Sequence, residues 1–306
     1  MRQTLAKSLA ELMHADSSVM LLTGDLGYGV LDDIAKGYPD QFLNVGVAEQ
    51  NMIGVAAGLV QTGHRVICYS IANFASLRCL EQIRNDIVYH QLDVMIIAIG
   101  AGLSYGTLGF SHFATEDISC MRALPGLTVY CPATDNDLAS AMKHLGLMKT
   151  PRYLRVDRET AKFDNAHTNW GFDSWTTLVH GNDIAIVTTG SIVDEAMIAS
   201  TELAKRGVSV RVISAGLLAP TRSEMVTRAL DGVELVVTLE EHVTSGGLGG
   251  LVAEVTASSD SRPRLIRLGI ENSYPDYVGT QSYLRESCRL DGASLVNRLS
   301  SEFRRR

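Results

Sequence analysis

The stretch from Asn44 to Val60 reads NVGVAEQNMIGVAAGLV and predicts a largely apolar helix. Glu49 is the only formally charged side chain between Asp40 and Arg65. Burial of an unpaired carboxylate is costly, so we expect Glu49 to be paired, hydrogen-bonded or protonated. Two interpretations stay open at this point. Glu49 either caps the N-terminus of the helix, where an acid is favoured, or faces a ligand.

Two glycines lie four residues apart on the same predicted helix, Gly54 and Gly58. Residues at this spacing share one face of a helix, and the absence of side chains there lets another backbone approach closely. Such a face suits a subunit interface. Ordinary helix packing inside the domain is the alternative interpretation.

Strand-like and helix-like segments alternate on both sides of this helix. Upstream, an amphipathic segment with Leu5 and Leu9 precedes an apolar strand that begins at Val19. Further strands and helices are predicted downstream, among them a helix over Asp135–Leu147 and a strand over Ile184–Thr188. The pattern restarts at Asp183 after a polar stretch without periodicity. The sequence therefore predicts an α/β protein with two doubly wound domains, each a mostly parallel sheet with helices on both faces. We expect the first domain over residues 1–160, a linker over 161–182 and the second domain over 183–306.

Composition excludes several classes of protein. The chain of 306 residues has a formal net charge of -7 and no basic residues concentrated before its end, which argues against a nucleic-acid surface. Its 5 cysteines show no C-x-x-C spacing, so we expect neither a disulfide framework nor a metal site. No apolar run approaches the roughly 18 residues that a bilayer requires. We expect a soluble, cytoplasmic protein with no membrane contact.

A set of short motifs extends along nearly the whole chain in one order. They are GVAEQNM (46–52), LEQIRND (80–86), AGLSYG (101–106), EDI (116–118), MRALP (121–125), EEH (240–242) and GGLG (246–249). This set resembles the transketolase family, which includes the deoxyxylulose-phosphate synthases. The resemblance implies a thiamine-diphosphate pyrimidine-binding domain followed by a transketolase C-terminal domain.

The resemblance also implies a catalytic role for Glu49. In this family the matching glutamate hydrogen-bonds the aminopyrimidine ring of thiamine diphosphate and so assists removal of the thiazolium proton. A buried acid suits this role because it can share a proton with a ring nitrogen. By the same resemblance Asp25 lies near the cofactor, with a turn or capping acid as the alternative.

Two further cofactor contacts follow from matched positions. His112 matches a histidine or glutamine that contacts the cofactor or donor, which implies a catalytic and cofactor-binding role, with a structural hydrogen bond as the alternative. Relatives stack an aromatic ring on the aminopyrimidine from a Ser-Thr-Phe-x-x-Phe segment. Here the segment from Ser70 reads SIANFA, with alanines at the expected ring positions. Phe74 is the candidate replacement, and a plain core residue is the alternative.

Substrate contacts depart from the family pattern. Leu108 replaces an aspartate that reads a sugar hydroxyl, and Gly100 stands where some relatives have a histidine. A sugar hydroxyl that is buried against Leu108 without a hydrogen-bond partner would cost about 1–3 kcal/mol of binding free energy. We therefore expect an altered sugar or ketoacid as substrate. Arg158 and Arg2 match arginines that hold a phosphate, and surface charges are the alternative for both.

The diphosphate site of the family is absent from this sequence. Relatives use a Gly-Asp-Gly motif for magnesium and diphosphate, and no Gly-Asp-Gly occurs here. The resemblance therefore implies a separate alpha subunit that shares thiamine diphosphate with this chain and holds Mg²⁺, in an α2β2 assembly. We expect a beta subunit that transfers a two-carbon ketol unit between sugars, with a non-standard substrate. The alternatives are the beta subunit of a 2-oxo-acid dehydrogenase-type decarboxylase and a non-catalytic binding module.

Overall fold

A computed structural model describes residues 1–163, 168–259, 262–271 and 275–303. Two β-sheets, of seven and five strands, form the centres of two α/β domains. The first part of the chain contains, in order, α1 (Arg2–Ala15), β1 (Val19–Thr23), α2 (Asp32–Gly37), β2 (Phe42–Asn44), α3 (Glu49–Gln61), β3 (Arg65–Ile71), α4 (Ala72–Ser76), α5 (Leu80–Gln82), β4 (Val94–Ile99), α6 (Asp117–Arg122), β5 (Thr128–Tyr130), α7 (Asp135–Leu147) and β6 (Arg152–Val156).

The second part has a similar alternation. It contains β7 (Thr176–Val179), β8 (Ile184–Thr188), α8 (Val193–Ala204), β9 (Val210–Ser214), β10 (Leu217–Ala219), α9 (Ser223–Leu230), β11 (Leu235–Val243), α10 (Leu248–Ala257), β12 (Arg264–Ile270), α11 (Gln281–Ser287) and α12 (Gly292–Phe303). Among the described residues, no helix is long and apolar enough to cross a bilayer.

Both sheets are mostly parallel, which confirms the predicted fold class. The first has the strand order β10-β5-β6-β4-β3-β1-β2, with β10 as its antiparallel member. The second has the order β12-β11-β8-β9-β7, with β7 as its antiparallel member. Successive side chains of a strand point to opposite faces, so Leu21 and Leu22 of β1 belong to two different apolar clusters. Helices therefore cover both faces.

The start of α3 differs from the sequence prediction of a helix that begins at Asn44. Asn44 instead ends β2, and α3 begins at Glu49. The side-chain oxygen of Asn44 accepts hydrogen bonds from the backbone N–H groups of Asp25 (2.9 Å) and Gly46 (3.0 Å). Gly46 also has φ +75°, a left-handed conformation that ends regular structure. This turn separates the strand from the helix.

Two short strands, β7 and β10, lie where the first and second parts of the chain meet. β7 lies inside residues 161–182, the stretch interpreted as a linker, and pairs with β9 of the second sheet. β10 follows β9 in sequence but pairs with β5 of the first sheet. The indole N–H of Trp175 donates a hydrogen bond to the carbonyl oxygen of Leu217 at 3.0 Å. Residues 164–167 of the interpreted linker lie outside the described residues, and its boundaries stay a prediction.

Candidate active site

The candidate site residues lie on loops at one edge of the first sheet. Strands β1, β2, β3 and β4 are parallel neighbours, so their carboxyl ends meet at the same edge. The loop after β1 carries Asp25, the turn after β2 leads to Glu49, and α4 after β3 carries Phe74. Residues 100–112 after β4, called the site loop below, carry Leu108 and His112.

Glu49 lies at the first turn of α3 and is 2% exposed. Nη1 of Arg78 donates to its Oε2 at 2.7 Å, and the hydroxyl of Ser70 donates to its Oε1 at 3.3 Å. The helix has Ala48 at its N-cap and no side-chain capping hydrogen bond. The geometry therefore fits a paired carboxylate that faces the loop edge rather than a capping acid.

Gly24 packs against this carboxylate. A Cβ atom placed there would lie 3.6 Å from the side-chain carbons of Glu49 and 3.4 Å from the carbonyl oxygen of Gly46, which is ordinary van der Waals contact. The loop after β1 therefore lies directly beside the acid.

Aromatic rings connect Phe74 and His112. Their ring centroids lie 5.1 Å apart in an edge-on arrangement, and the Tyr105 ring lies 6.1 Å from that of His112. The amide nitrogen of Asn73 donates to the carbonyl oxygen of Ser111 at 2.6 Å, which fastens the site loop to α4. Burial lowers the pKa of His112, so its imidazole is favoured in the neutral form.

Two guanidinium groups extend this line of rings at both ends. Arg78, which is paired with Glu49, lies over the Phe74 ring at 4.4 Å from its centroid. Arg158 lies over the Tyr105 ring at 4.7 Å. Cation–ring contacts of this kind stabilise by about 0.5–2 kcal/mol each. Glu49, Phe74 and Arg158 are thereby joined through direct side-chain contacts.

Asp25 lies at the same edge but is exposed, with φ +58°. Its carboxylate accepts hydrogen bonds from the amide of Asn44 (3.0 Å) and the hydroxyl of Tyr28 (2.8 Å). These two hydrogen bonds lower the pKa of Asp25, in that order of importance. The predicted turn interpretation therefore fits its local geometry, and the group stays ionised and open to a ligand.

Arg2 and Arg158 line one cleft of about 860 Å³ between the two halves of the chain. The Nε atom of Arg158 is buried and has no hydrogen-bond partner among the described residues. An anion in the cleft would satisfy this donor. Leu108 is 54% exposed at the other side of the site loop, where it offers no hydrogen-bonding group to a ligand.

Sequence reasoning missed Arg78 and Tyr105. Arg78 had the same signal as Glu49, because it is the only formally charged side chain between Arg65 and Glu81. Two lone opposite charges in neighbouring apolar stretches predict a buried pair. Tyr105 had no such signal, since its role depends on contacts made by folding.

Two doubly wound α/β domains, with the buried Glu49 paired to Arg78 at the carboxyl edge of the first sheet, define the class of protein. Residues 1–162 match the family model "Transketolase, pyrimidine binding domain", and residues 173–281 match "Transketolase, C-terminal domain". The chain therefore belongs to the transketolase family, as the motifs indicated.

Individual relatives agree with this assignment. A Methanocaldococcus jannaschii protein named for a transketolase C-terminal section is 35% identical over 100% of this chain and 96% of its own length. One of the subunits of the apulose-4-phosphate transketolase of Phocaeicola vulgatus is 31% identical over 89% of this chain and 88% of its own length. A split-gene transketolase, solved as an inactive beta4 tetramer, superposes with a TM-score of 0.85 at 32% identity, covering 98% of this chain and 96% of that one. The predicted resemblance to the beta subunit of a split transketolase is confirmed.

Enzymes of this family depend on thiamine diphosphate, and the residues described above fit its pyrimidine end. The fit consists of a buried carboxylate whose partner Arg78 is half exposed, with the aromatic ring of Phe74 under the same arginine. Within the described residues, no group of three or more His, Cys, Asp and Glu side chains could hold a metal ion.

Proposed function

We propose that this chain is the beta subunit of a thiamine-diphosphate-dependent transketolase-like enzyme that moves a two-carbon ketol unit between sugars. The observation that carries the proposal is the carboxylate of Glu49, which is buried at the carboxyl edge of the sheet and paired with the half-exposed Arg78. In this proposal Glu49 and His112 are catalytic, and Asp25 and Phe74 help to bind the cofactor.

When bound, thiamine diphosphate would supply the centre that stabilises a carbanion. Glu49 would share a proton with the pyrimidine ring nitrogen through a carboxylate oxygen. Arg78 covers both Oε2 of Glu49 and the ring of Phe74, so we expect its side chain to move when the site fills. The neutral imidazole of His112 can then accept or donate a hydrogen bond at the donor sugar.

A partner subunit is part of the proposal, since the carboxyl edge carries many exposed apolar side chains. Exposure of large apolar groups near a polar site is typical of an interface. On this edge they are Tyr28 (74%), Leu43 (37%), Val47 (75%), Leu108 (54%) and Phe110 (51%). A Cβ at Gly54 or Gly58 would lie more than 4 Å from every other group in the described part of the chain, so this face of α3 is open there as well. An alpha subunit that carries the diphosphate site and Mg²⁺, in an α2β2 assembly, fits these surfaces.

The substrate is proposed to be a phosphorylated sugar that differs from common pentoses. Arg2 and Arg158 line the cleft, and the unpartnered Nε of Arg158 supports an anionic group there. Leu108 disfavours a hydroxyl at its position. The Phocaeicola vulgatus relative is named for apulose 4-phosphate, which supports a specialised sugar.

We propose a cytoplasmic location for this subunit, because its free cysteines suit a reducing compartment.

The experiment is coexpression of the chain with its alpha partner and an assay of ketol transfer with thiamine diphosphate and Mg²⁺. Glu49→Gln should lower kcat by about 10²-fold or more, because general acid–base contributions have this size. Glu81→Gln is the matched control, since Glu81 is an exposed acid on nearby α5. Equal turnover of the Glu49→Gln complex and the native complex would favour the non-catalytic binding module.

A second assay separates the rival enzymatic function. The same complex is tested with 2-oxo acids and a lipoyl acceptor, which a decarboxylase of the 2-oxo-acid dehydrogenase type requires. Transfer to lipoyl groups without ketol transfer would replace the proposal by that alternative. Activity of the chain without a partner would refute the shared site.

A further inference from the structure

The second domain binds the site loop through the buried carboxylate of Glu241. The backbone N–H of Leu103 donates to Oε2 of Glu241 at 2.9 Å. The amide nitrogen of Gln281 donates to both oxygens of Glu241, at 3.0 and 2.9 Å, and to the hydroxyl of Ser104 at 3.3 Å. Two consecutive residues of the loop are therefore bound by side chains of the other domain.

Backbone contacts show how closely the two domains approach here. The N–H of Gly279 donates to the carbonyl oxygen of Gly106 at 3.2 Å. A Cβ at Gly106 would lie 2.4 Å from the carbonyl oxygen of Gly279, and a Cβ at Gly102 would lie 2.9 Å from that of Glu241. Gly102 also has φ +56°. Glycine is required at both loop positions because the second domain occupies the space of a side chain.

Glu241 is itself fixed in place. It is 4% exposed and forms an ion pair with the guanidinium of Arg285. Arg285 in turn donates to the hydroxyl of Ser191 at 3.0 Å and lies 3.5 Å from the carboxylate of Glu195. A buried ion pair with its hydrogen bonds satisfied holds one geometry, since each partner would be costly to leave alone. The carboxylate can therefore act as a rigid anchor.

Opposite the anchor, the first domain holds the same loop. The hydroxyl of Ser104 donates to the carboxylate of Asp157 at 3.0 Å, and the Tyr105 ring lies under Arg158. Tyr105 is also close to His112. Movement of residues 103–106 would thus displace the side chains that are assigned to the substrate.

We propose that Glu241 and Gln281 of the second domain are positioning residues, which hold the site loop so that Tyr105 supports Arg158 and His112. The second domain would thereby hold a loop of the first domain in the conformation that the candidate active site requires. The catalytic part of the inference rests on the proposed function, whereas the holding of the loop does not.

The test compares three variants of the full chain by hydrogen–deuterium exchange. Glu241→Gln places an amide N–H₂ among donors and removes the charge that Arg285 faces, and Gln281→Ala removes the bridge to Ser104. Glu240→Gln is the matched control, because Glu240 is an equally buried neighbour that bonds to α10 inside the second domain. Exchange in peptides covering residues 100–112 should rise about tenfold in the first two variants, as expected for a lost charged hydrogen bond.

The same variants are then assayed in the assembled enzyme. Glu241→Gln and Gln281→Ala should lower kcat/KM by about tenfold, mainly through KM, since Arg158 is assigned to substrate binding. Glu240→Gln should leave both constants near native values. Unchanged loop exchange in folded Glu241→Gln and Gln281→Ala overturns the inference, as does equal loosening in Glu240→Gln. Looser exchange with native kinetic constants overturns the positioning role.

An inactive assembly with every partner would count against the proposed function and leave the exchange result intact. The two failures are therefore distinguishable. A loop that exchanges faster in Gln281→Ala, in a chain that catalyses nothing, would still identify the second domain as the support of this loop.

Discussion

The ion pair of Glu49 and Arg78 predicts an asymmetric response to mutation. One partner is 2% exposed, whereas the side chain of the other is 45% exposed. Removing the exposed partner leaves a buried charge behind, but removing the buried one leaves a cation that water can reach. We therefore expect Arg78→Met to destabilise the chain and Glu49→Gln to have little effect on stability.

The magnitudes follow from the contacts. In Arg78→Met, the carboxylate of Glu49 keeps the hydrogen bond from Ser70 at 3.3 Å but loses the one at 2.7 Å, which should cost about 2–3 kcal/mol. In Glu49→Gln, the amide oxygen can still accept from Ser70 and Arg78 turns to solvent, so the cost should stay within about 1 kcal/mol. The double variant should resemble Glu49→Gln, with a coupling of about 2 kcal/mol.

The assay is urea unfolding of the four proteins at neutral pH, followed by circular dichroism, with free energies combined in a double-mutant cycle. Methionine keeps an apolar side chain of similar length over Phe74, so the change mainly removes the charge. Equal losses from Glu49→Gln and Arg78→Met, or additive losses in the double variant, would refute a buried carboxylate held by Arg78.

Three further predictions concern other parts of the chain. Burial raises the pKa of Asp137 to about 6 despite a hydrogen bond from Tyr130, so its contribution to stability is present below about pH 4 and is lost as the pH rises through 6. Asp137→Asn should therefore flatten the stability profile across that window by on the order of 2 kcal/mol in unfolding titrations, and an unchanged slope would contradict this. Leu108→Asp should leave the melting temperature near native, because Leu108 is exposed. In the assembled enzyme it should raise kcat/KM about tenfold for a donor sugar with an additional hydroxyl group. Unchanged selectivity between donors would show that Leu108 does not contact the substrate. Gly100→Ala would place a Cβ 2.0 Å from the Tyr105 ring at φ +88°, so thermal unfolding should show a loss of about 2–3 kcal/mol, and a native melting curve would show that the ring does not pack there.

Elements with strong local signals could be predicted from the sequence. The bounds expected for α7 and β8, Asp135–Leu147 and Ile184–Thr188, are those observed. The helix has a clear start, because the hydroxyl of Thr134 accepts a hydrogen bond from the N–H of Asp137 at 3.1 Å. The strand is a continuous apolar run that is buried throughout.

Elements that depend on tertiary pairing could not be predicted. β10 has three residues and forms because β5 of the other half offers it an edge. β7 lies in a polar stretch and is stabilised by antiparallel pairing with β9. Short edge strands have little intrinsic preference, so their sequences contain no sufficient signal.

The same distinction applies to the site. The burial of Glu49 could be predicted because a lone charge in an apolar stretch is visible in the sequence, and its catalytic role stays a prediction. The hydrogen bond between Leu103 and Glu241 joins residues separated by 138 positions, and neither residue has a local pattern that predicts it. The lone acid has a local signal in the sequence, whereas the support of the site loop depends on contacts between the two domains.

A comparison of two helix starts explains why one acid is assigned to the cofactor and the other is not. Glu240 is 1% exposed and accepts backbone hydrogen bonds from Leu248 (2.7 Å) and Gly249 (2.8 Å), so it fills the glycine-rich N-terminus of α10. A phosphate cannot reach those N–H groups while the carboxylate occupies them. Glu49 begins α3 with a similar degree of burial, but its oxygens accept hydrogen bonds from the side chains of Ser70 and Arg78. A half-exposed arginine can leave its carboxylate, whereas backbone N–H groups in a folded helix cannot. The acid that can change partners is the one suited to exchange a proton with a cofactor.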